Sequence, residues 1–411
     1  EREREMSRFL GTVLHLCLGF GPFTLINALW SEAPFFIKTL PEGDAISSHI
    51  TVCYNLANIL PFLMVVMRGR KTGGMRDGTV LLLLFSIGCL VCVGLATAWD
   101  VTVDDVSVMV LLASFMAGIV GCTAIVFTFS YVANSDPYYT SITSTGLTVS
   151  GMVTALLGNV QIGLEDPQVS LFWWLVLPMQ AVSVIAVVVL NTEASQKAYK
   201  AGADRSSPSY EETEGLLLGG SGSGGMEPWA GSQTQNRIPP PPLSAYVTPC
   251  VHMLWTSLLI YTLTPSLLPY ATDRYGDDQS QVMSVLNTVY TVFNFLGRLG
   301  SIIDKGSPLV LNIFQTGLLT YFAYFAVSDV YIIPMGLYVE VAWQAFVAGY
   351  VATIVYTLLT RPAYRRRHSL LSGQIGVDQD KTIKRWIGLS NQAGSLLASG
   401  IGLLFSHYLG A

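Results

Sequence analysis

Eleven apolar stretches, each long enough to cross a bilayer as a helix, alternate with short polar segments along the chain. They cover residues 8–31, 46–67, 78–98, 107–133, 141–163, 169–190, 244–270, 280–303, 308–328, 331–358 and 384–408. This pattern predicts an all-α, polytopic membrane protein. The 141–163 stretch is the most polar of them, rich in Ser, Thr and Gly. Residues 191–243 form the one long hydrophilic segment. Their Gly/Ser run at 219–226 and the prolines 239–242 read as a flexible linker that buries no core. The linker splits the spans into six (8–190) and five (244–408). That division predicts a two-bundle carrier, with a substrate site between the halves near the membrane midplane.

Composition agrees. The chain is 51% hydrophobic and 12% charged, where a soluble domain would carry about 25% charged residues. Mean hydropathy is +0.49. With the N-terminus in the cytoplasm, 20 of the 22 Lys and Arg residues fall on the inner side, and only Lys38 and Arg274 fall outside. The outer loops are then short and acidic, and the C-terminus lies outside. The first span lacks a small-residue cleavage site, so no cleavable leader is expected. All six cysteines lie within spans and read as small apolar fillers. No metal-ligand spacing, nucleotide-binding loop, GxSxG or HExxH occurs. The chain is therefore expected to be no enzyme, to need no cofactor, and to transport without ATP. Nothing in it calls for nucleic acid or an obligate protein partner. The partners expected are the lipid bilayer and a small-molecule substrate.

Polar groups inside bilayer spans are costly unless they face protein, water or a ligand. Phe23, Asn27 and Trp30 stand at i, i+4 and i+7 and share a helix face able to stack a flat ring and bond its edge. Asn55 and Asn58 face one way on the second span, and Asn287 and Asn294 share a face of the eighth. Gln161, Gln344, Asn391 and Gln392 add further amides, which suit neutral planar heterocycles. Each alone is equally an interhelical tie. Glu32 and Glu340 are embedded carboxylates, the latter a candidate proton acceptor. Arg298 lies toward the cytoplasmic end of its span, where snorkelling is the simple reading. His252 is the one midspan histidine that could titrate.

The stretch from Gly19 to Gly43, GFGPFTLINALWSEAPFFIKTLPEG, resembles the first helix of eukaryotic riboflavin transporters, roughly GxGSWxxxNGLWVELP followed by LPEG. Gly19, Gly21, Asn27, Trp30, Glu32, Pro34 and Leu40–Gly43 match without gaps. The likeness continues through Leu56–Asn58 and Pro61, and more weakly through Cys122–Thr123, Gly146, Ser150–Gly151 and Gln161 to Gln392–Leu397. Three positions depart from it: Phe23 replaces a tryptophan, Gly146-Leu147-Thr148 lacks the family's polar central residue, and Thr264-Pro265-Ser266 replaces T-N-G. FNFLGR (293–298) and Gly349–Tyr350 are instead similar to equilibrative nucleoside transporters. The resemblance implies a plasma-membrane carrier for riboflavin or a similar flat heterocycle. It implies substrate contacts at Phe23, Asn27, Trp30, Glu32, Asn58, Asn294 and Gln392, and coupling or gating roles for Glu42, Glu340 and Arg298. A nucleoside or nucleobase facilitator and a non-transporting membrane subunit or receptor stay open as alternatives.

Overall fold

In a computed structural model of the protein, the described residues are 2–43, 45–61, 63–64, 77–132, 137–162, 168–192, 243–262, 267–273, 275–301, 307–328, 334–357 and 377–409. The linker expected at 191–243 lies almost wholly outside them. Apart from an isolated Val103–Val106 bridge, they are helices and connecting turns. The helices are α1 (Arg2–Phe20), α2 (Thr24–Thr39), α3 (Ala45–Leu56), α4 (Asp77–Ala98), α5 (Val108–Tyr131), α6 (Pro137–Ile162), α7 (Val169–Asn191), α8 (Leu243–Thr262), α9 (Leu268–Asp273), α10 (Gln279–Gly300), α11 (Pro308–Val327), α12 (Pro334–Thr357) and α13 (Val377–Leu409).

The protein is an integral membrane protein. Helices α4, α5, α6, α7 and α12 are each long and apolar enough to cross a bilayer, and the α1–α2 pair is long and apolar enough only when its two bent parts are taken together. Large apolar side chains such as Leu83, Leu90, Leu112, Ile185, Val310 and Ile313 are exposed on the outside of the helix assembly, as lipid contact requires. Inside, Phe85, Phe127, Phe129 and Trp173 are fully buried in the main core, and Leu286, Phe322 and Leu337 anchor a smaller one.

The expected continuous helix at 8–31 is corrected. It breaks at Gly21–Phe23, and α1 and α2 meet at 53°. Pro22 has no N–H to continue the ladder. The Phe20 carbonyl that the break frees accepts instead from Thr24 Oγ1 at 2.8 Å and from the Phe23 N–H at 3.3 Å. A broken helix is tolerated in a membrane only when its backbone groups find such partners. The second expected span is likewise interrupted, by a turn at Ala57–Asn58 after α3.

Helices before the linker pack mainly with one another: α1 on α6 and α7, α4 on α5 and α7, α3 on α5, and α2 on α6. Those after it do the same: α10 on α12, α8 on α13, and α11 on α12. The two sets meet where α6 faces α10 and where α5 and α3 face α13. At the α10–α12 crossing the backbones nearly touch. A Cβ on Gly297 would lie 3.0 Å from the Tyr350 nitrogen, and one on Gly349 would lie 3.0 Å from the Asn294 carbonyl carbon. That contact leaves the opposite face of α10 directed at α6.

Candidate functional site

The seam between the two helix sets encloses a cavity. Its volume is about 130 Å³. α2 delivers Phe23, Ile26, Asn27 and Trp30 to its wall. The break sets the start of this face. Phe23 caps α2, and its carbonyl accepts from the Asn27 N–H at 2.9 Å, so the i, i+4, i+7 register holds across the bend. Asn27 Nδ2 donates to Ser150 Oγ at 3.2 Å, and a Cβ on Gly151 would come within 2.9 Å of that nitrogen. Gly151 is thus a glycine because the Asn27 amide occupies the space beside it.

α10 supplies the facing wall. Asn287, Tyr290, Thr291, Asn294 and Arg298 line the cavity. From Asn287 to Arg298 is eleven residues, about 16 Å along the helix. Thr51, Tyr54 and Asn55 come from α3, Ser257 and Tyr261 from α8, Tyr356 from α12 and Asn391 from α13. Polar groups on this wall are tied to one another: Ser257 Oγ donates to Asn391 Oδ1 at 2.5 Å, and Ser395 Oγ to Asn55 Oδ1 at 2.7 Å. The remainder, including Leu147, Ile125, Met253 and Ile260, is apolar. An apolar cleft with a few fixed polar groups is the form small-molecule sites take.

Phe23, Asn27 and Trp30 therefore line one wall of the cavity, and Asn294 and Arg298 line the facing one. Glu32, Asn58 and Gln392 do not line the cavity. Asn58 is fully buried behind Asn55 and donates to Asn55 Oδ1 at 2.9 Å. Gln392 is buried with its Nε2 unpaired. Glu32 is fully buried; one oxygen accepts from Gln161 Nε2 at 3.4 Å and the other has no partner. Glu340 is buried in α12, with Oε1 unpaired, away from the cavity. Glu42 lies in the turn after α2. Its two carboxylate oxygens accept from the Ser107 N–H and Oγ, both at 2.6 Å. Ser107 caps α5 with no side-chain bond to the helix's own N–H groups, and Glu42 does from another loop what a capping-box glutamate does from within a helix. Partial burial raises the Glu42 pKa, but the Ser107 bonds outweigh it and hold the carboxyl below its ordinary value.

Tyr261, Tyr290 and Tyr356 line the cavity and were not singled out from sequence. For Tyr290 a signal existed: Tyr290, Asn294 and Arg298 stand at i, i+4 and i+8 on one helix face. Tyr261 and Tyr356 sit in apolar runs that carry no comparable mark. A second, smaller cavity shares Trp30 and Asn287 with the first and adds Ser31, Pro34, Leu268, Met283 and Ser284. Trp30 is thus part of the wall of both.

Residues 7–168 match the family described as solute carrier family 52, riboflavin transporter. That stretch contains α2 and the parts of α3, α5 and α6 that line the cavity. Riboflavin transporter member 3 of Bos taurus and of Homo sapiens are each 29% identical to this chain over 157 residues, 37% of this chain and 34% of theirs. Member 3 of Osmerus mordax is 37% identical over 83 residues, 20% of each chain. The aligned stretch thus spans about a third of the length of the first two relatives. Across nearly the whole chain, the fold is similar to that of the xylose transporter XylE from E. coli in a partially occluded, inward-open conformation. That likeness has a TM-score of 0.53 and 12% identity, and covers 98% of this chain and 96% of the other.

Proposed function

We propose that the protein is a membrane carrier that moves riboflavin or a similar flat heterocycle by alternating access. The observation that carries this reading is the placement of Phe23, Asn27 and Trp30. The stretch similar to riboflavin transporters brings an aromatic–amide–aromatic face to a cavity at the seam of a transporter-like fold. Trp30 and Phe23 stack on the ring system, and Asn27 and Asn294 read its polar edge. Asn58, held against Asn55, supports that wall from behind. Trp30 also separates the main cavity from the smaller one, so its rotamer governs passage between them.

On this reading residues 8–190 and 244–408 are the two moving bundles, with the 191–243 linker between them. The N-terminus is cytoplasmic, the C-terminus is outside, and the membrane is the plasma membrane. The Asp77 end of the seam then faces the cytoplasm and the Glu42 end faces outward. Uptake of radiolabelled riboflavin into cells expressing the protein tests the proposal. Uptake above that of control cells, competed by unlabelled riboflavin, is expected. Background uptake with the protein present at the surface sinks it, and competition by uridine or adenosine but not by flavins selects a nucleoside carrier instead.

A further inference from the structure

Arg298 is the only ionised side chain in the cavity wall among the described residues. Its sequence position suggested a guanidinium snorkelling to the membrane surface. The structure buries it, at 8% exposure, inside the seam. Nε donates to Asn294 Oδ1 at 3.1 Å, and Nη1 donates to Ser144 Oγ at 2.7 Å and to the Ser144 carbonyl at 3.3 Å. Ser144 is held in turn by Thr353 Oγ1 at 3.1 Å. Three N–H groups are thus fixed by neutral acceptors. Nη2 makes no hydrogen bond among the described residues.

Among the described residues no carboxylate pairs with this charge. The ion pair among the described residues is Arg385–Asp77. Glu340 lies nine residues before Gly349, where α12 meets Asn294. That places it about 13 Å along the helix from the guanidinium's turn. Glu32 is engaged with Gln161 on the far side of α2. The neutral phenols of Tyr261, Tyr290 and Tyr356 share the cavity wall with Arg298, and the Tyr356 hydroxyl is buried with no partner. Arg298 stands in the last turn of α10, where the helix dipole favours a cation, which offsets only part of its desolvation. A buried cation with fixed neutral partners, a spare donor and, among the described residues, no counter-ion is costly unless something bound supplies the charge.

We infer that the substrate is anionic: a flat heteroaromatic carrying a carboxylate or similar delocalised oxyanion, anchored on Nη2 of Arg298. This rests on the reading of the cavity as a ring-binding site, and it specifies which member of the ring class fits. The rings lie between Trp30 and Phe23 at one end, and the oxyanion reaches Arg298 at the other. The guanidinium is already oriented by Ser144 and Asn294, so charge-assisted bonding needs little further ordering.

The test uses a matched pair, carboxymethylflavin and its carboxamide, which are nearly isosteric and differ in charge. Binding of each, and of riboflavin, is measured by flavin fluorescence on the purified full-length protein in lipid nanodiscs, for wild type, Arg298→Lys and Arg298→Gln. The wild type is expected to bind the acid at least about tenfold more tightly than the amide. Arg298→Gln should erase that preference, so that acid and amide bind within about threefold of each other, and Arg298→Lys should retain part of it. Equal binding of acid and amide by the wild type overturns the inference, as does a preference that survives in Arg298→Gln, or no binding of either. The wild-type comparison decides even if the Gln variant does not fold. Acid binding with no riboflavin transport leaves the inference standing and removes riboflavin as cargo. Riboflavin transport with no acid preference does the reverse.

Discussion

The Asp77–Arg385 pair joins the first residue of α4 to α13 across the seam, and its two members should not be equivalent. Arg385 Nη2 lies 3.0 Å from both Asp77 oxygens, and Ser130 Oγ donates to Asp77 Oδ2 at 2.7 Å. Arg385 is 24% exposed and Asp77 13%. Remove the cation, as in Arg385→Gln, and Asp77 keeps the Ser130 bond and its place at a helix N-terminus. That position is worth roughly 0.3–1 kcal/mol to an acid. Remove the anion, as in Asp77→Asn, and a mostly buried guanidinium is left whose Nε already has no partner. Its remaining neighbour, the Phe127 ring at 6.0 Å, compensates by roughly 0.5–1 kcal/mol at most.

Loss of a hydrogen-bonded charge partner in a partly buried site costs on the order of 1.5–3 kcal/mol. We therefore expect Asp77→Asn to cost about 2–3 kcal/mol and Arg385→Gln about 1–2 kcal/mol. The double variant should be less destabilised than the sum by roughly 1 kcal/mol or more. Thermal unfolding of the four proteins in nanodiscs ranks them. Arg385→Gln falling below Asp77→Asn, or single effects that simply add, would refute the account. The swap Asp77→Arg with Arg385→Asp should not rescue, because it sets a cation at the start of α4. Since the pair ties the two helix sets at one end only, its loss should also increase labelling of cysteines introduced at the seam near that end.

At the other end, Glu42→Gln should lower the melting temperature at pH 7 by weakening the cap on α5. The Glu42 carboxyl is depressed in the folded state, so its contribution is present above the unfolded value of about 4.3 and is lost as pH falls through the folded one. The wild-type advantage should shrink as pH falls below the unfolded value of about 4.3, and an advantage independent of pH would count against this. Gly297→Ala should cost several-fold in folded yield, because its methyl meets the α12 backbone, while Gly317→Ala, with nothing within 4 Å, should be neutral or slightly stabilising by helix propensity. Detergent-extracted monodisperse protein is the readout, and equal losses would reject the close-crossing argument. Asn27→Ala and Trp30→Ala should each weaken flavin binding by about tenfold or more, measured by fluorescence titration. Unchanged affinity in both would remove α2 from the site.

Hydropathy made the helices legible because the bilayer imposes one length on each apolar run, and a helix satisfies its own backbone within that run. It did not reveal the break between α1 and α2. Apolar character continues through Gly21–Phe23, and only the Gly-Pro pair marks a turn. The α2 face was legible because its members sit within eight residues, where helical spacing fixes their direction whatever surrounds them. The opposite wall was less so. Whether Arg298 snorkels or is buried depends on Ser144, which lies 154 residues away on another helix. Chain periodicity carries no information about such a pairing. The polar character of 141–163 was visible, but its purpose was not. Ser144 and Ser150 are polar because they hold Arg298 and Asn27, one from each wall of the cavity. On the proposed reading, a single helix, α6, thus positions both the group that would read a ring edge and the group that would read a charge. A change at Ser144 should therefore alter charge preference without altering ring stacking, and a change at Ser150 should do the opposite. Substituting each by alanine and titrating carboxymethylflavin against its carboxamide separates the two. If both variants lose both ligands equally, α6 is only a scaffold.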